Sequence, residues 1–133
     1  LKEPLGVLPN ILAFKGPFIM REKDAERPAT EQVTANIGSG PFTFNHALAK
    51  PGASFTYDRN EKYMPRMEAP DGFAGGKIVN VDRVIWDVIA DQQTALAALQ
   101  AGEVDFLSLP PVDLLTVIES DPNLELQVLD KWG

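Results

Sequence analysis

His46 is the sole histidine of this 133-residue chain, and cysteine is absent. Those two counts limit what its side chains can do. A serine triad needs a histidine base oriented by an acid. His46 sits beside Asn45 and Ala47, with no serine or carboxylate in a telling relation to it. It reads as a surface or turn histidine at a strand end. A zinc centre needs several His or Cys ligands, which this composition does not supply. Asp and Glu number 19, yet none falls at a spacing that marks a general acid–base pair. Two glycine clusters invite a nucleotide reading, and both fail it. After Gly38-Ser39-Gly40 the third fingerprint glycine would fall at Thr43, and a strand follows instead of a helix. A phosphate loop ending in Gly75-Gly76-Lys77 would need glycine at Asp71 and a hydroxyl at Ile78. No catalytic constellation emerges, and no residue set calls for a cofactor.

One segment survives as a candidate binding site: Ser108, Leu109, Pro110 and Pro111. In open α/β sheets, ligands sit beyond the carboxyl ends of strands, where helix N-termini turn free amides outward. The four residues follow a short apolar run and precede a helical pattern. On this reasoning alone, a plain strand-to-helix connection is the simpler reading.

The elements that must position such a site follow from periodicity. Pro4, Pro9 and Pro17 break the first stretch, leaving room for a helical turn near Asn10–Phe14. Residues 21–35 read as surface helix or loop. Phe42 and Phe44 alternate with Thr43 and Asn45, and Phe55 and Tyr57 with Thr56 and Asp58. Lys50-Pro51-Gly52-Ala53 turns between them, so a hairpin spans about 42–58. Residues 59–80, with Pro65, Pro70, Gly72, Gly75 and Gly76, read as a long loop. Val81 to Ile89 is apolar on both faces, which predicts an interior strand with Trp86 in the core. Asp91 caps a helix through Gln92–Ala101 that stops at Gly102. Val104–Leu109 reads as a strand, Ser108 as the cap of a helix bearing Leu114, Leu115 and Ile118, and Leu124–Leu129 as a last strand. The expected fold class is α/β: a mixed, partly parallel sheet with helices packed on it, in one domain.

Composition agrees with a globular chain, at 44% hydrophobic and 23% charged residues. At this mass a compact fold buries about two-thirds of its unfolded surface, enough for one core. The net charge of −7 argues against nucleic acid as a partner. Residues 68–133 hold 12 of the acidic and three of the basic residues, a solvated acidic half. No apolar run reaches the roughly 20 residues of a membrane span. Leu1 in place of Met suggests a piece of a longer protein, whose signal peptide would lie upstream.

Four segments taken together resemble a known family. Gly38-Ser39-Gly40-Pro41-Phe42-Thr43-Phe44 resembles the glycine-proline-aromatic strand opening of the bacterial extracytoplasmic solute-binding proteins, family 5. Asp58-Arg59-Asn60-Glu61-Lys62-Tyr63 is similar to that family's arginine–asparagine segment, and Val81-Asp82-Arg83-Val84 to its next strand. The stretch from Thr94 to Asp105 resembles its helix closed by Gly102-Glu103-Val104-Asp105. Order and spacing agree across about residues 38–109. The long loop with Pro65, Pro70 and Gly72–Gly76 departs from the commonest family pattern. The resemblance implies part of the first lobe of a two-lobed, type II periplasmic-binding-protein-like fold that closes on its ligand. It implies the binding component of an ABC importer, periplasmic or lipid-anchored outside the cytoplasmic membrane. Its partners would be a peptide or similar small solute and a membrane permease. Branches of the family take peptides, opines, sugars, glutathione, haem or nickel. A sensory domain of a transcription regulator is the other implied role. The resemblance also sets Ser108–Pro111 at a strand end facing the second lobe, where backbone groups meet ligand. As an isolated lobe fragment, the chain would expose apolar surface and could pair with itself.

Two expectations are testable at this level. Leu99 lies on the apolar stripe of the Gln92–Ala101 helix, so Leu99→Ala is expected to cost roughly 2–5 kcal/mol in denaturant melts. The chain is also expected to show no hydrolase, transferase or redox turnover. Activity that survived purification and vanished with one point substitution would overturn that.

Overall fold

The computed structural model describes residues 4–13, 19–71 and 74–128. It divides into two compact units, residues 1–86 and 87–133. The first carries α1 (Leu8–Ala13), α2 (Glu22–Ala25), β1 (Phe42–Phe44), β2 (Ser54–Arg59) and most of β3 (Arg83–Asp87). The second carries α3 (Gln92–Gln100), a 3-10 turn (Val112–Leu114) and α4 (Leu115–Ser120).

The hairpin forms as its alternation predicts. β1 and β2 pair antiparallel, with Phe42 opposite Arg59, Thr43 opposite Asp58 and Phe44 opposite Tyr57. Gly52 turns the chain with φ of 80°, a left-handed conformation natural to glycine. The alternation gives one aromatic face. The Phe44 ring meets Tyr57 at 5.4 Å and His46 at 4.7 Å, both edge-on, and Phe55 at 6.4 Å. These rings remain partly exposed, and the buried residue of β2 is Thr56. A small side chain on the middle strand is walled in by larger neighbours, whereas a ring projects past its own.

β3 completes a sheet ordered β1-β2-β3. The Arg59 amide donates to the Asp82 carbonyl at 2.8 Å, and Arg83 pairs with Asp58, which sets β3 antiparallel to β2. The expectation of an interior strand over Val81–Ile89 is corrected here. Ile85 and Trp86 are 56% and 55% exposed, and Val81 and Val88 are exposed with them. The strand's pattern is that of a two-sided core strand, but β3 is an edge with a neighbour on one side only among the described residues. Trp86 is therefore not a core residue.

The loop from 60 to 82 has local order of its own. Glu68 and Gly76 bond through the Gly76 amide at 2.8 Å, and Asp71 and Ala74 bridge each other. Gly75 has φ of 70°, and a Cβ there would overlap the Ala69 carbonyl oxygen. Glycine is required by both conformation and space. Gly72 of the predicted loop lies outside the described residues.

In the second unit, α3 forms where expected. The Asp91 carboxylate accepts from the Thr94 amide and hydroxyl, each at 2.7 Å, closing the first turn. Gly102, φ 72°, ends the helix, and the Glu103 amide returns to the Ala98 carbonyl at 2.9 Å. The two expected strands that follow are absent. Val104–Leu109 is irregular, and so is 124–128; Leu129 lies outside the described residues, as does Phe14 of the first helical turn. A strand exists only with a partner to bond to, and neither run has one among the described residues. The partly parallel α/β alternation is thus replaced by an antiparallel sheet in the first unit and short helices in the second.

Among the described residues the buried apolar side chains are Ala95, Leu96, Ala98 and Ile118, all in the second unit. Leu96, at 4% exposure, takes the place expected for Leu99, which is half-buried. Helix phase explains the shift: Ala95, Leu96 and Ala98 point inward, and Leu99 falls at the stripe's edge. Leu96→Ala is therefore expected to cost roughly 2–5 kcal/mol and Leu99→Ala distinctly less. Urea melts of the two variants check the order. Gly75→Ala should loosen the 66–76 loop, seen as faster amide exchange at Gly76 with the sheet unaffected.

Candidate functional site

The candidate residues Ser108, Leu109, Pro110 and Pro111 lie in the segment between α3 and the 3-10 turn. Ser108 and Leu109 are exposed, Leu109 to 83%, while Pro110 and Pro111 are half-buried. Ser108 is not a helix cap, contrary to expectation. Pro111 stands at the capping position in an extended conformation, φ −65° and ψ 137°, and makes no side-chain cap. The reason is steric: each proline disfavours helical geometry in the residue before it, which delays the helix past Leu109 and Pro110. The helical turn begins only after Pro111, whose carbonyl accepts from the Leu114 amide at 3.0 Å. The segment bends at Ser108 and Leu109, and Leu109 and Val112 are exposed. Residues 87–128 carry eight acidic side chains and no lysine or arginine. A cationic group approaching this unit meets a favourable field.

His46 is exposed in the turn after β1, its ring against Phe44. Among the described residues, no three His, Asp or Glu side chains gather as a metal site.

Three of the four segments that resemble the family meet one another. Asp58 accepts from Asn45 Nδ2 and from Arg83 Nε, each at 2.6 Å. Arg59 donates to the Val79 carbonyl at 3.1 Å and stands 3.5 Å from the Asp82 carboxylate. Asn60 donates through Nδ2 to the Gly40 carbonyl at 3.0 Å, and through its amide to the Pro41 carbonyl at 2.8 Å. These side chains hold the sheet together; their hydrogen bonds run within the chain.

A further ionic cluster went unread in the sequence. Asp24 is 4% exposed and is bracketed by Arg21 at 2.7 Å and Arg27 at 3.8 Å. The hydrogen bond from Arg21 holds its carboxyl below the usual carboxylate range. The Arg-x-x-Asp-x-x-Arg spacing was the available signal, since residues three apart meet on a helix.

Comparison with known proteins bears on what this arrangement serves. A sequence model described as bacterial extracellular solute-binding proteins, family 5 middle, matches residues 1–131. The chain is 75% identical, over all of its length, to the probable peptide ABC transporter periplasmic-binding protein y4tO of Sinorhizobium fredii (strain NBRC 101917 / NGR234), of which it covers 25%. It is 25% identical over 95% of its length to the glutathione-binding protein GsiB of Escherichia coli (strain K12), covering 22% of that protein. The chain thus spans about a quarter of the length of the curated relatives it matches.

Asp58 gives a pH dependence with a definite sign. Its carboxyl is held below the ordinary value, first by the Arg83 hydrogen bond and then by that from Asn45. The unfolded chain therefore takes up this proton before the folded one does. The stability from Asp58 is present above the ordinary carboxylate value, near 3.8. It is lost as the pH falls from there through the lowered folded value. Asp58→Asn should be less stable at neutral pH and lose less of its remaining stability on acidification. Urea melts between about pH 5 and pH 2 read both effects. Parallel pH curves for variant and parent would show that Asp58 does not carry the dependence.

Proposed function

The chain belongs to the bacterial extracellular solute-binding proteins of family 5, and from that premise we propose that it forms part of the binding component of an ABC importer. The component works in the periplasm, or anchored outside the cytoplasmic membrane. It captures a peptide or similar small solute and delivers it to the membrane permease. The observation that carries this reading is the 75% identity, without interruption at either end, to a probable peptide importer's binding protein. That identity favours peptide over the glutathione of the more distant relatives.

The chain supplies part of the first lobe of a type II, two-lobed fold, and ligand is held between the lobes. It performs no chemistry. Ser108, Leu109, Pro110 and Pro111 line the ligand cleft. The prolines support this role, because each ring fixes its own backbone angle and so lowers the ordering cost of presenting backbone groups to a peptide. No cofactor takes part.

The test is calorimetric titration of short peptides and of glutathione into the intact binding protein that carries this segment, and into the 133-residue chain alone. Peptide binding by the intact protein, with glutathione weaker, is expected. The reverse preference overturns the peptide assignment. The isolated chain leaves about half of the ligand solvated, so a micromolar site should weaken beyond the millimolar range, at about tenfold for each 1.4 kcal/mol lost. Equal affinity for chain and intact protein would overturn the two-lobe reading. In a ligand-bound structure of the intact protein, Ser108–Pro111 should lie against the peptide; a position remote from it ends their assignment.

A further inference from the structure

β3 leaves one edge of the sheet unpaired among the described residues. The direction of its peptide groups can be read off. The Asp82 carbonyl accepts from the Arg59 amide and so points toward β2. Successive residues of a strand alternate between its two edges. Val84 and Trp86 therefore also face β2, while Arg83, Ile85 and Asp87 turn their N–H and C=O groups outward. Such an edge is a template for another strand, and proteins usually blunt it with proline, lysine or a bulge. Val81–Ile89 contains neither proline nor lysine, and Val81, Ile85, Trp86 and Val88 are exposed.

The strand is also complementary to itself. It reads Arg83-Val84-Ile85-Trp86-Asp87. Turned antiparallel about a two-fold axis at Ile85, Arg83 of one copy faces Asp87 of the other at both ends. Ile85 faces Ile85, and Val84 faces Trp86. Parallel pairing would set Arg83 against Arg83 and Asp87 against Asp87, which is destabilising. A shift of register in either direction loses both ionic pairs. Arg83 can serve two carboxylates, since Nε alone engages Asp58, its side chain is 47% exposed and a guanidinium carries five N–H donors. We propose that the 133-residue chain associates with a second copy of itself through β3, antiparallel and two-fold symmetric about Ile85. The outward residues exchange backbone hydrogen bonds across the axis, and the contact is isologous.

Sedimentation of the 133-residue chain over the micromolar range tests the association; a species at twice the 14.6 kDa chain mass is expected. Asp87→Lys places a cation opposite Arg83 of the other copy and should weaken the dimer at least tenfold, with the circular dichroism spectrum unchanged. Cysteine scanning tests the register, because the chain has no cysteine of its own. Residues opposite each other in such a pair have Cα atoms about 5.5 Å apart, within disulfide range. Under oxidised glutathione, Ile85→Cys should yield a covalent dimer in high proportion and Val88→Cys should not. A monomer at every concentration overturns the proposal and leaves this edge to an intramolecular strand of a longer protein. Equal cross-linking at both positions, or an Asp87→Lys dimer as tight as the parent's, overturns the register.

Discussion

The carboxylate of Asp58 ties together all three strands. It sits on the middle strand, takes a hydrogen bond from Asn45 just beyond β1, and takes another from Arg83 on β3, each at 2.6 Å. The β1–β2 hairpin can form from local sequence alone, because its turn and register are short-range. β3 comes from the far side of a loop of more than twenty residues. Bringing it back costs loop-closure entropy, which a few backbone bonds on a short strand repay poorly. A charge-assisted pair adds strength and direction where the apolar burial of β3 adds little. Arg59 acts at the same junction, through Val79 and Asp82.

The family's recognisable segments are therefore scaffold. Asn60 fastens the glycine-rich entry to β1, Asp58 and Arg83 join β2 to β3, and Asp91 and Gly102 delimit α3. Residues under such geometric demands identify the architecture and leave the ligand unspecified. Specificity belongs to positions with freedom to vary, such as exposed loops carried on the frame.

The small core has a consequence for the whole chain. Among the described residues, Ala95, Leu96, Ala98 and Ile118 are the buried apolar side chains, and much apolar surface on β3 and in the loops stays in water. Such surface drives association. Within a longer family protein, neighbouring segments would cover it; in the chain by itself, a second copy is the available partner.

The sequence by itself determined the elements that close on themselves. The hairpin followed from period-two alternation around a Pro-Gly turn, and α3 from an Asp cap and a Gly stop. Each of these depends on residues a few positions apart. Only the tertiary structure decided whether an apolar run becomes a strand and which of its faces is covered. Val104–Leu109 and Leu124–Val128 carry strand-like patterns but find no partner. Val81–Ile89 has the composition of an interior strand and occupies an edge. A strand's hydrogen bonds and its burial are both supplied by other chain segments, so its own residues record the environment it suits without supplying it. Asp58, Asn60 and Arg83 show the same limit: their types were legible, but their meeting required the fold.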